Sequence, residues 1–240
     1  MPQALLIADL HLSAERPEAN EAFIGFLERD AAGADALYIL GDLFEYWIGD
    51  DDAGAPFHAV LAGLLRGIAD RGTALYLMHG NRDFLLGRRF CELTGARLLS
   101  DPSVAELGGV RTLLLHGDTL CTGDEDYQSW RRVARSAGWQ ARFLAKPLAE
   151  RRAEMIALRA KSAAAIRSKP AGVMDANPQA VQQAFRAHGV TRMIHGHTHR
   201  CARHALTVDG RKCERWVLPD WYGAGGYLAI GPGKPELVRY

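Results

Sequence analysis

With 240 residues, 48% of them hydrophobic, the chain suits one α/β domain or one domain carrying a sizeable insertion. A formal net charge of +1 excludes the basic footprint of a general nucleic-acid binder. Cys91, Cys121, Cys201 and Cys213 form neither a CxxC pair nor a zinc-knuckle spacing and read as reduced, mostly buried thiols; Asp9 and His11 interrupt the N-terminal apolar run, so a cytoplasmic globular protein without signal peptide or transmembrane helix is expected.

Residues 4–8 are too few and too uniformly apolar for a surface helix and predict a buried strand. A helix follows over 18–29, with Ala22, Phe23, Phe26 and Leu27 on one face. Strand 36–40, helix 57–70 and strand 74–78 come next, and the apolar run 113–115 leads into His116. Between residues 122 and 176 no strand is evident and the composition is helical. Asn177-Pro178 reads as an N-cap with proline at the first helical position, Gly189 as the matching stop, and 191–194 as the strand that follows. From Arg203 the pattern becomes hairpin-like, with Asp209-Gly210 at the turn. The expected fold is α/β: a two-sheet sandwich flanked by helices, one domain over 1–240, with a helical insertion at about 122–176.

Polar motifs follow the apolar runs: Asp9-Leu10-His11, Gly41-Asp42, Gly80-Asn81-Arg82-Asp83, His116-Gly117-Asp118 and His195-Gly196-His197-Thr198-His199. Each falls just beyond a strand's C-terminal end, the edge where α/β sheets gather ligands. A single Asp-x-His pair would read as turn or hydrogen-bonded structural residues. All five together read as a site for two hard or borderline cations, the arrangement used in phosphoryl chemistry. Two ions about 3.5–4 Å apart need a shared oxygen, and Asp42 is the candidate bridge. Asp9, His11 and His199 would complete one ion, and Asn81, His116 and His197 the other. Nitrogen and oxygen donors without thiolate favour two Mn²⁺, with Fe, Zn or Mg open. His58, His188 and His204 read as surface or packing residues, and His79 and His195 as neighbours of the motifs.

In order and spacing the motifs resemble the calcineurin-like metallophosphoesterases: D-x-H, G-D, G-N-x-D, H and G-H-x-H. That superfamily usually has histidine after the asparagine, acting on the leaving group; here the residue is Arg82. A guanidinium, with a pKa above ~12, is no general acid near neutrality, but it holds a phosphate oxygen through two hydrogen bonds. An alkoxide leaving group needs a proton and a phosphate does not, so Arg82 favours a pyrophosphate bond over a simple monoester.

The text around the motifs is similar to one family within that superfamily, the UDP-2,3-diacylglucosamine pyrophosphatases of lipid A biosynthesis. The resemblance rests on 7–12, 36–45, 47–51, 79–85, 116–121 and 194–200. It implies cleavage to UMP and 2,3-diacylglucosamine 1-phosphate by water attacking the phosphorus nearest uridine, with two Mn²⁺, at the cytoplasmic face of the inner membrane. It also implies catalytic roles for Asn81, Arg82 and His116, and contacts to the diacylated lipid substrate from Asn81, Arg82, Asp124, Ser162, Lys169 and His197. Two departures stand out. The asparagine usual four residues after that serine is Ile166 here, and the tail reads Leu218-Pro219-Asp220-Trp221 where the family usually has glycine.

The insertion carries Arg131, Arg132, Arg135, Arg142, Lys146, Arg151, Arg152, Arg159, Lys161, Arg167 and Lys169 among Trp130, Trp139, Phe143, Leu144, Leu148, Met155 and Ile156, opposed within 127–171 by Glu150 and Glu154. Two readings stay open: a lid with apolar walls for acyl chains and cations for anionic head groups, or a cap whose arginines are merely solvated. A phosphodiesterase or nucleotide pyrophosphatase of soluble substrates, and a non-catalytic metal-bound scaffold, are the competing functions. A monomer without nucleic-acid partners is expected.

Overall fold

The computed structural model describes residues 3–168, 173–223 and 225–240. Its first sheet has the order β11-β10-β1-β2-β3-β4, built from β1 (Ala4–Ile7), β2 (Ala36–Leu40), β3 (Ala74–Met78), β4 (Arg97–Leu99), β10 (Gly226–Ile230) and β11 (Glu236–Arg239). The second has the order β5-β6-β7-β9-β8, from β5 (Ser103–Leu107), β6 (Val110–Leu114), β7 (Arg192–His195), β8 (Ala202–Val208) and β9 (Arg211–Val217). β1, β2 and β3 run parallel in register, Leu5 opposite Leu37 and Leu37 opposite Leu75.

The two-residue period of a strand assigns each apolar side chain to a layer. Leu6, Ala8, Tyr38, Leu40 and Met78 face Leu114, Ile194, Trp216 and Leu218 and form the core between the sheets. Their alternates Leu5, Ile7, Leu37, Ile39, Leu75 and Leu77 turn outward under α1 (Pro17–Arg29), α2 (Pro56–Asp70) and α3 (Arg88–Thr94). On the far side Leu113, Leu115 and Met193 meet Val181 and Phe185 of α7 (Pro178–His188). Each such side chain contributes about 1.5–3 kcal/mol by leaving water, which makes the register unforgiving.

The stretch expected to be helical contains α4 (Glu125–Ala134), α5 (Ala137–Leu144) and α6 (Leu148–Ser168), and no strand among its described residues. Ala134, Phe143 and Met155 join the core outside the first sheet. The basic residues of these helices are not simply opposed by Glu150 and Glu154. Arg131 pairs with Asp118 and Asp101, Arg151 with Asp51, Arg152 with Asp52, and Arg159 with Glu45. Acids of the sandwich, distant in sequence, thus neutralise much of the insertion's inner face. No helix among the described residues is long and apolar enough to cross a membrane.

Candidate active site

Five loops leave the C-terminal ends of β1, β2, β3, β6 and β7 and meet at one edge of the sandwich. Five of the six non-glycine residues with positive φ among the described residues lie in them: Asp9 (56°), His11 (51°), Asp42 (54°), His197 (66°) and His199 (53°). The left-handed region costs an ordinary side chain about 1–3 kcal/mol and persists where the surroundings enforce it. Here the loops are laced together by backbone hydrogen bonds. Asp9 N donates to Gly41 O (3.1 Å), His11 N to Asp42 O (3.0 Å) and Gly196 N to His116 O (2.9 Å). Glycine permits the closest approaches: a Cβ on Gly196 would stand 2.3 Å from Asp9 Oδ2, and one on Gly80 2.0 Å from Asp42 Oδ1.

The convergence yields two overlapping groups of ligand atoms, Asp9 with His11 and His199, and Asp9 with Asp42 and His116, each within 4.8 Å. His11 Nε2 and His199 Nε2 are 3.4 Å apart, and His199 Nε2 is 3.5 Å from Asp9 Oδ1, a buried oxygen with no hydrogen-bond partner. Asp42 Oδ2 lies 3.9 Å from His11 Nδ1 and 3.8 Å from His116 Nε2, between the two halves. Asn81 Oδ1 is 3.0 Å from His116 Nε2 and 2.8 Å from His197 Nδ1. His116 Nδ1 sits 2.9 Å from the Leu40 carbonyl, which can only accept, so the proton belongs on Nδ1 and Nε2 presents a lone pair to the Asn81 oxygen. A cation reconciles that oxygen and nitrogen. The metal-free alternative is a turned amide, whose nitrogen donates to both rings and to Asp42. The donor set and the unpartnered Asp9 oxygen fit divalent cations.

Burial, with Asp83 and Asp9 adding repulsion, raises Asp42 to about 7 despite the His116 ring beside it. Burial lowers His116, but the carboxylates of Asp42, Asp9 and Asp118 outweigh it and lift the ring to about 9. Burial raises Asp9, yet the His199 ring and the charges of His116 and His11 hold it below the usual carboxylate range. His197, buried beside His116, is lowered to about 4, and burial takes His11 well below its ordinary value. His11 and His197 are thus kept neutral, whereas Asp42 and His116 hold protons in the metal-free cluster that a bound cation would displace, since ligands must be deprotonated.

The expected ligands Asp9, His11, Asp42, Asn81, His116, His197 and His199 are therefore brought together. Arg82 is beside them: its backbone N donates to Asp42 Oδ1 (2.8 Å), its Nε is 3.8 Å from Asp42 Oδ2, and its Nη1 donates to Glu45 Oε1 (2.6 Å). Asp124 is the N-cap of α4 and accepts from Tyr127 N (3.1 Å); Ser162 is half-buried on α6. Lys169 and the side chain of Ile166 lie outside the described residues. Asp83 and Asp118 end two of the motifs but belong to neither group of ligand atoms. Asp83 accepts from Gly80 N and Leu43 N, and Asp118 from Tyr127 Oη and Arg131 Nε. His79 meets the Leu86 carbonyl at 2.6 Å, His195 is buried 3.1 Å from Arg215, and His58 packs on Phe44 and Trp47. Sequence reasoning passed over Glu45, Tyr127 and Tyr222. Tyr127 lies 6.0 Å from the His197 ring and Tyr222 5.0 Å from that of His11, contacts that join α4 and the tail to the site. Only long-range packing reveals them.

Comparison with known proteins agrees with this architecture. The family model for calcineurin-like phosphoesterase matches residues 3–201. A protein of Aromatoleum aromaticum is 48% identical over 238 residues, covering 99% of this chain and 97% of its own. One from Pseudomonas putida is 50% identical, covering 98% of both chains, and one from Pseudomonas paraeruginosa 52%, covering 94% of both. All three bear the name UDP-2,3-diacylglucosamine hydrolase. The chain belongs to the calcineurin-like phosphoesterases, in the family that these relatives represent.

Proposed function

We propose that the chain hydrolyses the pyrophosphate bond of UDP-2,3-diacylglucosamine in lipid A biosynthesis, releasing UMP and 2,3-diacylglucosamine 1-phosphate. The observation that carries this reading is Arg82, fixed beside Asp42 where the superfamily usually has a leaving-group histidine. Two divalent cations, Mn²⁺ in this reading, supply an activated water and offset charge on the phosphoryl oxygens when bound. Asp9, His11, Asp42, Asn81, His116, His197 and His199 would hold them. Water's oxygen forms the new bond to the uridine-side phosphorus, and the bridging P–O bond breaks toward the sugar phosphate. That leaving group departs as a stable anion, so a permanently protonated guanidinium suffices to hold its oxygens. Asn81, His197, Asp124, Ser162 and Lys169 would hold the substrate with Arg82.

The helices α4–α6 act as the lid over the acyl chains and as the contact with the inner membrane. Trp130, Val133, Leu144 and Ile156 are exposed on them, at 38–52%, in the manner of a surface awaiting apolar cover. The test is divalent-dependent release of UMP from UDP-2,3-diacylglucosamine, run beside UDP-N-acetylglucosamine and bis(p-nitrophenyl) phosphate. Fast turnover of the lipid alone is expected. Turnover of the soluble esters alone would keep the phosphoesterase and remove the lipid.

A further inference from the structure

Glu45 joins three parts of the molecule that the ligand set leaves unconnected. It sits in the loop after β2, and its side chain is 26% exposed. Its Oε1 accepts from Arg82 Nη1 at 2.6 Å and from Arg159 Nε at 3.2 Å, so one oxygen is committed to two guanidinium groups from different elements. Its Oε2 is buried and accepts no hydrogen bond. Facing that oxygen at 3.5 Å is His11 Nδ1, which is also buried and also unpartnered. An unmade hydrogen bond at a buried polar atom costs about 1–3 kcal/mol, and here two such atoms need only a few tenths of an ångström to satisfy each other. The other carboxylate near His11 Nδ1, Asp42 Oδ2, is farther at 3.9 Å and is shared with His116 Nε2 and Arg82 Nε, each 3.8 Å away.

We propose that Glu45 is the positioning residue of His11: its Oε2 takes the Nδ1 proton in a hydrogen bond, leaving Nε2 as the lone pair that faces the cation site. A neutral imidazole carries one proton, and the nitrogen that binds a cation must be the other one. His116 gets its tautomer from the Leu40 carbonyl at 2.9 Å. Glu45 does the same for His11, and Arg82 and Arg159 hold its second oxygen so that the carboxylate cannot swing away. The proposal rests on the dimetal reading of the site and is independent of the substrate's identity.

The two oxygens of Glu45 make an unusual ranking of variants. In Glu45→Ala the cavity at this partly exposed position admits water, which can accept from Nδ1, so the tautomer is weakened but not reversed. In Glu45→Gln the amide has one oxygen, and two arginines that can only donate claim it. Its NH₂ then faces His11 Nδ1 and can only donate, which pushes the ring proton to Nε2, the wrong atom for metal binding. The isosteric substitution is thus the more damaging one, an order that a purely structural role would reverse.

Metal-free wild type, Glu45→Ala, Glu45→Gln and Arg159→Gln would be titrated with Mn²⁺ by calorimetry. Zinc-loaded samples with ¹⁵N-labelled histidine would be read for ring tautomer by long-range ¹H–¹⁵N spectroscopy. Mn²⁺ affinity should fall about tenfold in Glu45→Ala, further toward about 100-fold in Glu45→Gln, and little in Arg159→Gln, with His11 protonated on Nδ1 in the wild type. Glu45→Gln binding Mn²⁺ as tightly as Glu45→Ala or better overturns the proposal. So does a wild-type His11 protonated on Nε2, a result that stands even where a variant fails to fold. A wild type that takes up no divalent ion removes the metal reading and this proposal with it, whereas activity on an unforeseen substrate affects neither.

Discussion

Asp42 and His116 illustrate how a metal site stores instability in a metal-free protein. The Asp42 carboxyl is raised to about 7 and the His116 ring to about 9. A raised carboxyl penalises the folded state once pH passes the unfolded value near 4, and the penalty is complete above about 7. A raised histidine stabilises the folded state below about 6.5 and loses that contribution as pH rises through about 9. Both signs agree: the melting temperature of EDTA-treated protein should fall between pH 6 and 9. Asp42→Asn should flatten that fall, since Asp42 is also the strongest influence raising His116, while turnover drops to background with the far-ultraviolet circular dichroism retained. An equally steep fall in Asp42→Asn would reject this account. At this scale the seven candidate ligands were legible because each follows an apolar run in a motif with its own grammar. Glu45 was not, because a carboxylate three residues past Asp42 looks like any loop acid until Arg159 arrives from far along the chain. Asp83 and Asp118 had the spelling of ligands but are committed to backbone N–H groups and to Tyr127 and Arg131, which no spacing discloses.

The helices and strands that were legible are those with one apolar face and explicit ends. Asn177 accepts from Gln179 N and Ala180 N, Gly189 adopts φ 63°, and α7 runs between them as its termini predict. β2 and β3 match residue for residue. β5 escaped notice because its alternation spans only five residues, although Gly108 and Gly109, at φ 56° and 73°, mark the turn into β6. α3 is seven residues long, and β4, β10 and β11 are short strands whose pairing is decided across the sheet. How α6 is anchored was equally hidden. Arg151 is 2% exposed, donates to the Ile48 carbonyl at 2.6 Å, and is paired with Asp51, whose carboxyl is held below its ordinary value by that contact. Charge-assisted hydrogen bonds of this kind contribute about 1.5–3 kcal/mol, so Arg151→Ala should release α6 from the sandwich. Amide exchange across 148–168 should accelerate roughly tenfold or more while β1 and β2 keep their protection. Uniform acceleration, or none, would mean that α6 does not move as a unit.

For the whole molecule, a formal charge of +1 conceals a division of labour among the insertion's cations. Arg131, Arg151 and Arg159 face the sandwich acids, so they are unavailable to a bilayer. Arg132, Arg142, Lys161 and Arg167 are exposed, on the same three helices as Trp130, Val133, Leu144 and Ile156. An amphipathic surface binds an anionic interface through both parts, apolar burial and about 1 kcal/mol per basic residue near the head groups. Composition could show that the insertion is basic but could not tell the inward from the outward cations, because their partners lie up to 114 residues away. The inner-membrane reading therefore makes a directional demand. Arg132→Glu with Arg142→Glu should weaken partitioning onto anionic vesicles by well over tenfold, with metal content and melting temperature unchanged. Raising salt should weaken the wild type in parallel, since exposed charges are screened within about 10 Å at 0.1 M. Arg151→Ala, by contrast, should lower stability before it alters the outward charge pattern. If the double reversal leaves vesicle binding intact, the exposed cations are merely solvated. The helices would then be a cap whose work is confined to the substrate beneath them.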